Sequence, residues 1–420
     1  MGISLKENVR KATAKSKLAG INSEAEFDVM YSTGFLAIDY LNGTVVHVNG
    51  NDRDFQYNAC GIVDGSTNTI IGRSGSGKST LLTQIAGNII RPFIQKGLPA
   101  MVYIDDIEGS LPYARKEFLL GLTEEEIEKY TDIRNSGITT ENVFKRIYTI
   151  ADEKISNRKE YEYDTGLYDI HGHRIYKLVP TVYIVDSLPM LLPESIATEE
   201  DLISSMGASS IAKTNTGLFK QIQQKCKEAN IIFFTINHIN DDIQMGFIPK
   251  PSMISGLKQG ERLPGGKVAL YLANNMFRVD DPKTLKSSEG FGIDGSEVAL
   301  TLIKSRTNAT KKSVPLIFNK SEGRFDELLS LFQLVKNEGK FSGAGAYLYL
   351  DDCPNIKFGM KSFKSTIEEN PDLQQAFAKV CYDILKDYLS ETKAAEVNNS
   401  SASANIINIF SGFANILESA

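Results

Sequence analysis

Cysteine and histidine are both scarce, with four of each in 420 residues. Cys60, Cys226, Cys353 and Cys381 show no C-x-x-C spacing, which argues against a cysteine-based metal site and fits free thiols in a reducing cytosol. Histidine comes nearest to a metal pattern at His171-Gly172-His173, which reads as a turn in a polar hairpin, so no zinc site is expected. A positive net charge is missing too: 46 Lys and Arg stand against 52 Asp and Glu, leaving −6. The chain therefore lacks the overall basic footprint of a simple DNA-binding module, and polyanion contacts must sit on a local patch or loop. No apolar run reaches membrane-spanning length, and Met1-Gly2-Ile3-Ser4-Leu5-Lys6 has neither a signal-peptide core nor a Ser or Thr at position 6 for N-myristoylation. No membrane partner is expected, and a cytoplasmic location follows. Length alone suggests two or three domains with ample core.

What the chain does have is Gly72-Arg73-Ser74-Gly75-Ser76-Gly77-Lys78-Ser79-Thr80. The apolar run Thr69-Ile70-Ile71 precedes it and Leu81-Leu82-Thr83-Gln84-Ile85 follows. Strand, glycine-rich turn and helix in that order make a phosphate-binding P-loop, G-x-x-x-x-G-K-[ST]. Gly72, Gly75 and Gly77 let backbone N–H groups turn inward around a polyphosphate without Cβ clashes. The helix N-terminus adds its positive dipole end there. Lys78 can reach the β- and γ-phosphates, and the Ser79 hydroxyl can take a site on Mg²⁺. ATP and Mg²⁺ are the expected ligands.

Around this motif, apolar strands alternate with helical stretches: Met101–Ile104, Thr181–Asp186, Ile231–Ile236, then 268–279 and Glu297–Lys304. That alternation predicts an α/β fold with a mostly parallel sheet covered by helices. Hairpins are expected over 44–66 and 161–177, and a helix-rich charged stretch from 112 to 140. Four parts are expected: an N-terminal helix and linker over 1–28, an ATPase core over 29–320, a small α/β lobe over 321–392, and a linker with an apolar tail peptide over 393–420. Within the lobe, helix, a short strand at 346–350 and a helix over 362–389 are read.

Ligands of such sheets sit at the carboxyl ends of the strands, where Glu108, Asp186 and His238 fall. An Asp ending an apolar strand after a P-loop would hold the Mg²⁺ hydration shell opposite Ser79. Glu108 can polarise the attacking water, with Asp105 and Asp106 as rivals for that role. His238 can hydrogen-bond the γ-phosphate and relay its presence into the next loop. That loop, 239–267, loses periodicity and carries Lys250, Lys258, Arg262 and Lys267. Lys304 and Arg306 share one face of a strand end, either as solvated charge or as phosphate partners across a subunit boundary.

The order of these elements resembles RecA-type homologous recombinases, especially the phage UvsX-like branch. Ser32-Thr33-Gly34-Phe35-Leu36-Ala37-Ile38-Asp39 looks like the family's segment before the P-loop. Asp106-Ile107-Glu108 with Pro112-Tyr113-Ala114-Arg115 looks like its catalytic-glutamate segment, and Val185-Asp186-Ser187-Leu188 like its Walker B. Thr235-Ile236-Asn237-His238 and Lys304-Ser305-Arg306-Thr307 match further family segments. Gly343–Tyr349 and Lys361–Asp372 resemble the family's C-terminal lobe, which helicase-type relatives lack.

The resemblance implies that Tyr113 lies beside the adenine and that Lys304 and Arg306 reach a neighbouring subunit's ATP. It places DNA-binding loops at about 190–205, ending at Met206-Gly207, and at about 240–266, ending at Gly265-Gly266. It implies helical filaments on single-stranded DNA, pairing with a homologous duplex, and mediator or single-strand-binding proteins as further partners, in a host-cell cytoplasm if the chain is viral. Residues 140–180 and 44–66 are longer than in the family, and the apolar tail replaces its acidic one. A ring-forming helicase or translocase of the same superfamily, or a nucleotide-switched assembly protein, are the alternatives.

Overall fold

The computed structural model describes residues 29–49, 54–109, 111–168, 174–197, 205–241, 256–264, 273–306, 308, 312–344 and 347–389. The expected N-terminal helix, the tail peptide, His171, His173, Lys250, Gly265, Gly266, Lys267 and the 198–204 part of the first loop lie outside these residues.

A ten-stranded sheet organises the chain. Its strands are β1 (Thr67–Gly72), β2 (Met101–Asp106), β3 (Thr131–Arg134), β4 (Thr181–Asp186), β5 (Ile231–His238), β6 (Asn275–Val279), β7 (Lys283–Leu285), β8 (Gly295–Lys304), β9 (Ser313–Asn319) and β10 (Arg324–Asp326). The order across the sheet is β10-β9-β8-β6-β1-β5-β4-β2-β3, with β7 paired to β8. From β6 to β3 every pairing is parallel, whereas β8, β9 and β10 add antiparallel strands at one side. β1 and β4 are buried at every position, as near-continuous apolar runs in a doubly covered parallel sheet must be.

Helices cover both faces. Along β4, Val182 and Ile184 face the cluster that holds α2 (Lys78–Ile94), while Tyr183 and Val185 face the opposite cluster. The second cluster includes Val143, Ile147 and Ala151 of α5 (Thr140–Ser156) and Leu218, Phe219 and Ile222 of α6 (Ser205–Ala229). The first part of the 140–180 stretch thus covers one face of the sheet. Lys154 anchors it, donating to Val179 O at 2.7 Å and Thr181 Oγ1 at 3.1 Å. The hairpins form at Thr44–Asn49 with Asp54–Ala59 and at Glu162–Tyr168 with Arg174–Leu178.

Three local expectations are corrected. The 112–140 stretch holds α3 (Tyr113–Leu120) and α4 (Glu124–Tyr130), but it also supplies the edge strand β3. Four residues with two charges carry no strand signal of their own; pairing to β2 makes the strand. The predicted single helix over 362–389 is two, α8 (Phe363–Glu369) and α9 (Pro371–Leu385), because Pro371 cannot continue α8 but fits the first turn of α9. The strand near 346–350 forms at Tyr347–Leu350, flanked by Ser342–Ala344 and Cys353–Phe358 as neighbours that sequence periodicity did not announce.

α7 (Glu327–Asn337) lies against β9, where Ile317 N donates to Ser330 Oγ at 2.9 Å. From there Phe332, Phe341, Phe358, Phe363 and Phe377 carry the central hydrophobic cluster into the C-terminal elements. No helix among the described residues is long and apolar enough to cross a membrane.

Candidate active site

The glycine-rich turn between β1 and α2 has the backbone geometry expected of a phosphate-binding turn. Gly75 and Gly77 take φ of +75° and +86°, left-handed values that disfavour a side chain. Gly72 is required for space instead: a Cβ there would lie 2.6 Å from the carbonyl oxygen of Val279 on β6. α2 starts at Lys78, so its unpaired N–H groups face the turn. Lys78 is buried and donates to Arg73 O at 2.7 Å. Burial pulls its ammonium down to about 8, against the opposing pull of Asp186 and Glu108. Ser76 is buried with its hydroxyl 3.5 Å from Lys78 Nζ, whereas Ser74 is exposed and Thr80 half-buried.

Parallel register brings the strand ends together beside this turn. His238 pairs with Gly72, and Asp186 with Asp106. Ser79 Oγ donates to Asp186 Oδ2 at 2.5 Å. Burial raises the Asp186 carboxyl, the Ser79 bond opposes that, and Glu108 and Asp106 add to the rise. A hydroxyl and a carboxylate oxygen side by side at this turn are hard oxygen donors of the kind Mg²⁺ takes, so Ser79 and Asp186 could hold that ion.

Glu108 sits just beyond β2, and its main chain is braced by Asp186: Ile107 N and Glu108 N donate to Asp186 O at 2.6 and 3.3 Å. Its Oε1 accepts from the Ser187 hydroxyl and lies 2.7 Å from His238 Nε2. The two rival carboxylates are engaged elsewhere. Asp105 is bound by Arg146 and Tyr183 beside α5, on the far side of the strand, next to a cavity of about 240 Å³ lined also by Arg134 and Asn142. Asp106 takes the Lys116 ammonium at 2.5 Å in a buried pair. Tyr113 opens α3 and is 53% exposed, so its ring is largely open to solvent.

The basic loop is rooted at the same mouth. Asn240–Asp241 pairs antiparallel with Glu261–Arg262, closing the base of the loop. Asn237 Nδ2 donates to Pro264 O at 3.0 Å, and Arg278 holds Glu261 with two bonds of 2.6 and 2.9 Å. The Glu261 carboxyl is held below the usual range by Arg278, although burial works against this. Lys258 is exposed and 3.4 Å from Asp280; Arg262 is exposed. Met206 and Gly207 fall in the first turn of α6.

Lys304 and Arg306 do not join the site within the chain. β8 is antiparallel, so Lys304 is level with Met276 and hence with Thr69, about 10 Å of strand before Gly72. Arg306 N reaches Asn274 O, further still from the P-loop. Burial and the charge of Arg306 lower the Lys304 ammonium.

Sequence reasoning did not single out Ser187, Lys116, Arg73 or Asp241 as site partners. The Asp186-Ser187 pair was a usable signal for the first. The others depend on strand register, which spacing does not reveal. Comparison with known proteins finds no family model and no curated protein that matches this chain.

Proposed function

We propose that this chain is an ATP-dependent DNA strand-exchange protein of the RecA type, assembling as helical filaments on single-stranded DNA. The observation that supports the reading is adjacency: β5 ends with His238 on Glu108 beside the P-loop, and three residues later the chain reaches Asp241, at the base of a loop carrying exposed cations. A nucleotide site and a polyanion-binding loop on consecutive residues can influence each other directly.

In this reading Lys78 and the start of α2 bind the phosphates of ATP. Ser79 and Asp186 hold Mg²⁺, which when bound neutralises charge on the phosphate oxygens. Glu108 takes a proton from the attacking water, and His238 reports the terminal phosphate to the loop. Lys258, Arg262, Lys250 and Lys267 bind the DNA backbone, so affinity falls steeply with salt. Lys304 and Arg306, at the far end of the sheet, serve a neighbouring protomer's phosphates, which ties hydrolysis to assembly. A homologous duplex is the second DNA substrate, and hydrolysis resets the filament.

The test is ATP turnover with and without single-stranded DNA, with the same samples imaged by negative-stain microscopy. DNA-stimulated turnover in open helical filaments is expected. Closed rings would move the reading to a helicase, and bound nucleotide without turnover to a nucleotide-switched assembly protein.

A further inference from the structure

We infer that Ser187 is a positioning residue for hydrolysis: together with His238 it fixes one oxygen of Glu108 and leaves the other to accept the proton of the attacking water. This rests on the ATPase reading of the site. Ser187 is fully buried directly after Asp186, and its hydroxyl donates to Glu108 Oε1. It makes no cap bond to the short turn Leu188–Met190 that it precedes; there only its carbonyl is used, by Met190 N at 3.1 Å. His238 Nε2 approaches the same Oε1 at 2.7 Å from a different strand. Among the described residues no hydrogen bond reaches Glu108 Oε2.

The asymmetry has a chemical consequence. Two donors on one carboxylate oxygen draw charge onto it and lock a side chain that would otherwise sample several rotamers. The other oxygen is then the basic one, held in a single direction. Main chain and side chain of Glu108 are held by consecutive residues, since Asp186 O accepts from Ile107 N and Glu108 N while Ser187 donates to the carboxylate. A general base needs this kind of fixed aim at the proton it removes. The proton balance is simple: water loses H⁺ to Oε2 as its oxygen bonds to the terminal phosphorus and the bridging P–O bond breaks, leaving ADP and phosphate.

The experiment uses full-length protein with Ser187→Ala, Ser187→Thr, Glu108→Gln and the Ser187→Ala/Glu108→Gln double variant. Single-turnover ATP hydrolysis on single-stranded DNA is measured, and affinity for a fluorescent ADP analogue is measured separately. Ser187→Ala is expected to slow hydrolysis about tenfold, the worth of one hydrogen bond to a charged group, with nucleotide affinity unchanged. Ser187→Thr, which keeps the hydroxyl, is expected to restore most of the rate. In the Glu108→Gln background Ser187→Ala is expected to add nothing, because both act through one carboxylate. A merely structural role would lower nucleotide affinity or add a second tenfold loss, and either result overturns the inference, as does a wild-type rate in Ser187→Ala. Should Ser187→Ala not fold, Ser187→Cys, a near-isostere and weak donor, carries the same expectation. If wild-type protein shows no hydrolysis, the ATPase reading falls and this inference with it. If wild type and Glu108→Gln differ while Ser187→Ala matches wild type, only the Ser187 assignment falls.

Discussion

Arg73 of the P-loop and Asp241 at the base of the basic loop form a two-point ion pair, with Nη2 to Oδ1 at 2.6 Å and Nη1 to Oδ2 at 3.2 Å. Arg73 Nε also lies 3.7 Å from Asp281. The β1–α2 turn and the loop base therefore share a side-chain contact, beside the His238–Glu108 bond. Arg73 and Asp241 are both substantially exposed, so the pair adds little stability and weakens with salt. Charge counting alone says that Asp241→Asn strengthens DNA binding and Arg73→Gln weakens it. The shared contact says instead that both reduce the gain in DNA affinity on adding ATP, by up to about fivefold, and that the double variant is no worse than either. Fluorescence-anisotropy titrations of single-stranded DNA with and without ATP decide between the two.

Lys78→Met is expected to weaken nucleotide binding tenfold or more, because a buried cation bonded to Arg73 O is replaced by an apolar chain. Isothermal titration with ADP measures it. Unchanged affinity would mean that phosphate does not bind in the β1–α2 turn.

Glu108→Gln is expected to leave nucleotide affinity intact and slow hydrolysis by about 10²–10⁴. Asp106→Asn is expected to lower stability instead, by about 3–5 kcal/mol, since it strips the buried Lys116 ammonium of its carboxylate, and Asp105→Asn by less, since Arg146 keeps Asp132. Urea melts beside single-turnover rates separate the two kinds of effect. A hydrolysis defect in a fully stable Asp106→Asn protein would return that residue to the role of base.

Gly87→Ala tests the packing that seats α2. A Cβ on Gly87 would lie 2.2 Å from Leu120 O at the end of α3, backbone that cannot move aside cheaply. A loss of about 1–3 kcal/mol is expected, read as a lower melting midpoint with unchanged slope.

Asp39 carries a pH dependence. It accepts from the Ser32 hydroxyl at 2.5 Å and from Thr33 N and Oγ1 at 2.8 and 2.6 Å, and burial pushes its carboxyl up to about 6 despite these donors. The folded protein thus holds a proton that the unfolded chain releases near pH 4. Stability from this group is complete below pH 4 and is lost as pH rises towards and through 6, on the order of 2–3 kcal/mol in all. Asp39→Asn is expected to flatten that slope, and denaturant melts at pH 4, 5, 6 and 7 check it.

How much was legible depends on how local each feature is. Gly72, Gly75, Gly77, Lys78 and Ser79 lie within eight residues, so the turn between strand and helix was legible from spacing alone. Asp186, Glu108 and His238 were legible as strand ends because buried parallel strands are continuous apolar runs and a polar residue marks where each stops. The 362–389 helix was misread because its periodicity continues across Asn370, although Pro371 was there as a breaker. β3 was not legible at all, since its four residues become a strand only by pairing with β2.

The sequence by itself determined a glycine-rich turn between a strand and a helix, an α/β sheet around it and the carboxylates near its edge, because these follow from residue types at short separation. Only the tertiary structure decided which of three carboxylates faces Ser187 and His238. Asp105 and Asp106 stand as close to the strand end as Glu108 does, yet Arg146 and Tyr183 occupy the first from elsewhere in the chain and Lys116 of the next helix occupies the second. The tertiary structure also put Ser187 and His238 on one oxygen of Glu108 and kept Lys304 and Arg306 away from the chain's own P-loop. Both outcomes come from strand order and direction, which join residues far apart in the chain and so leave no trace in spacing.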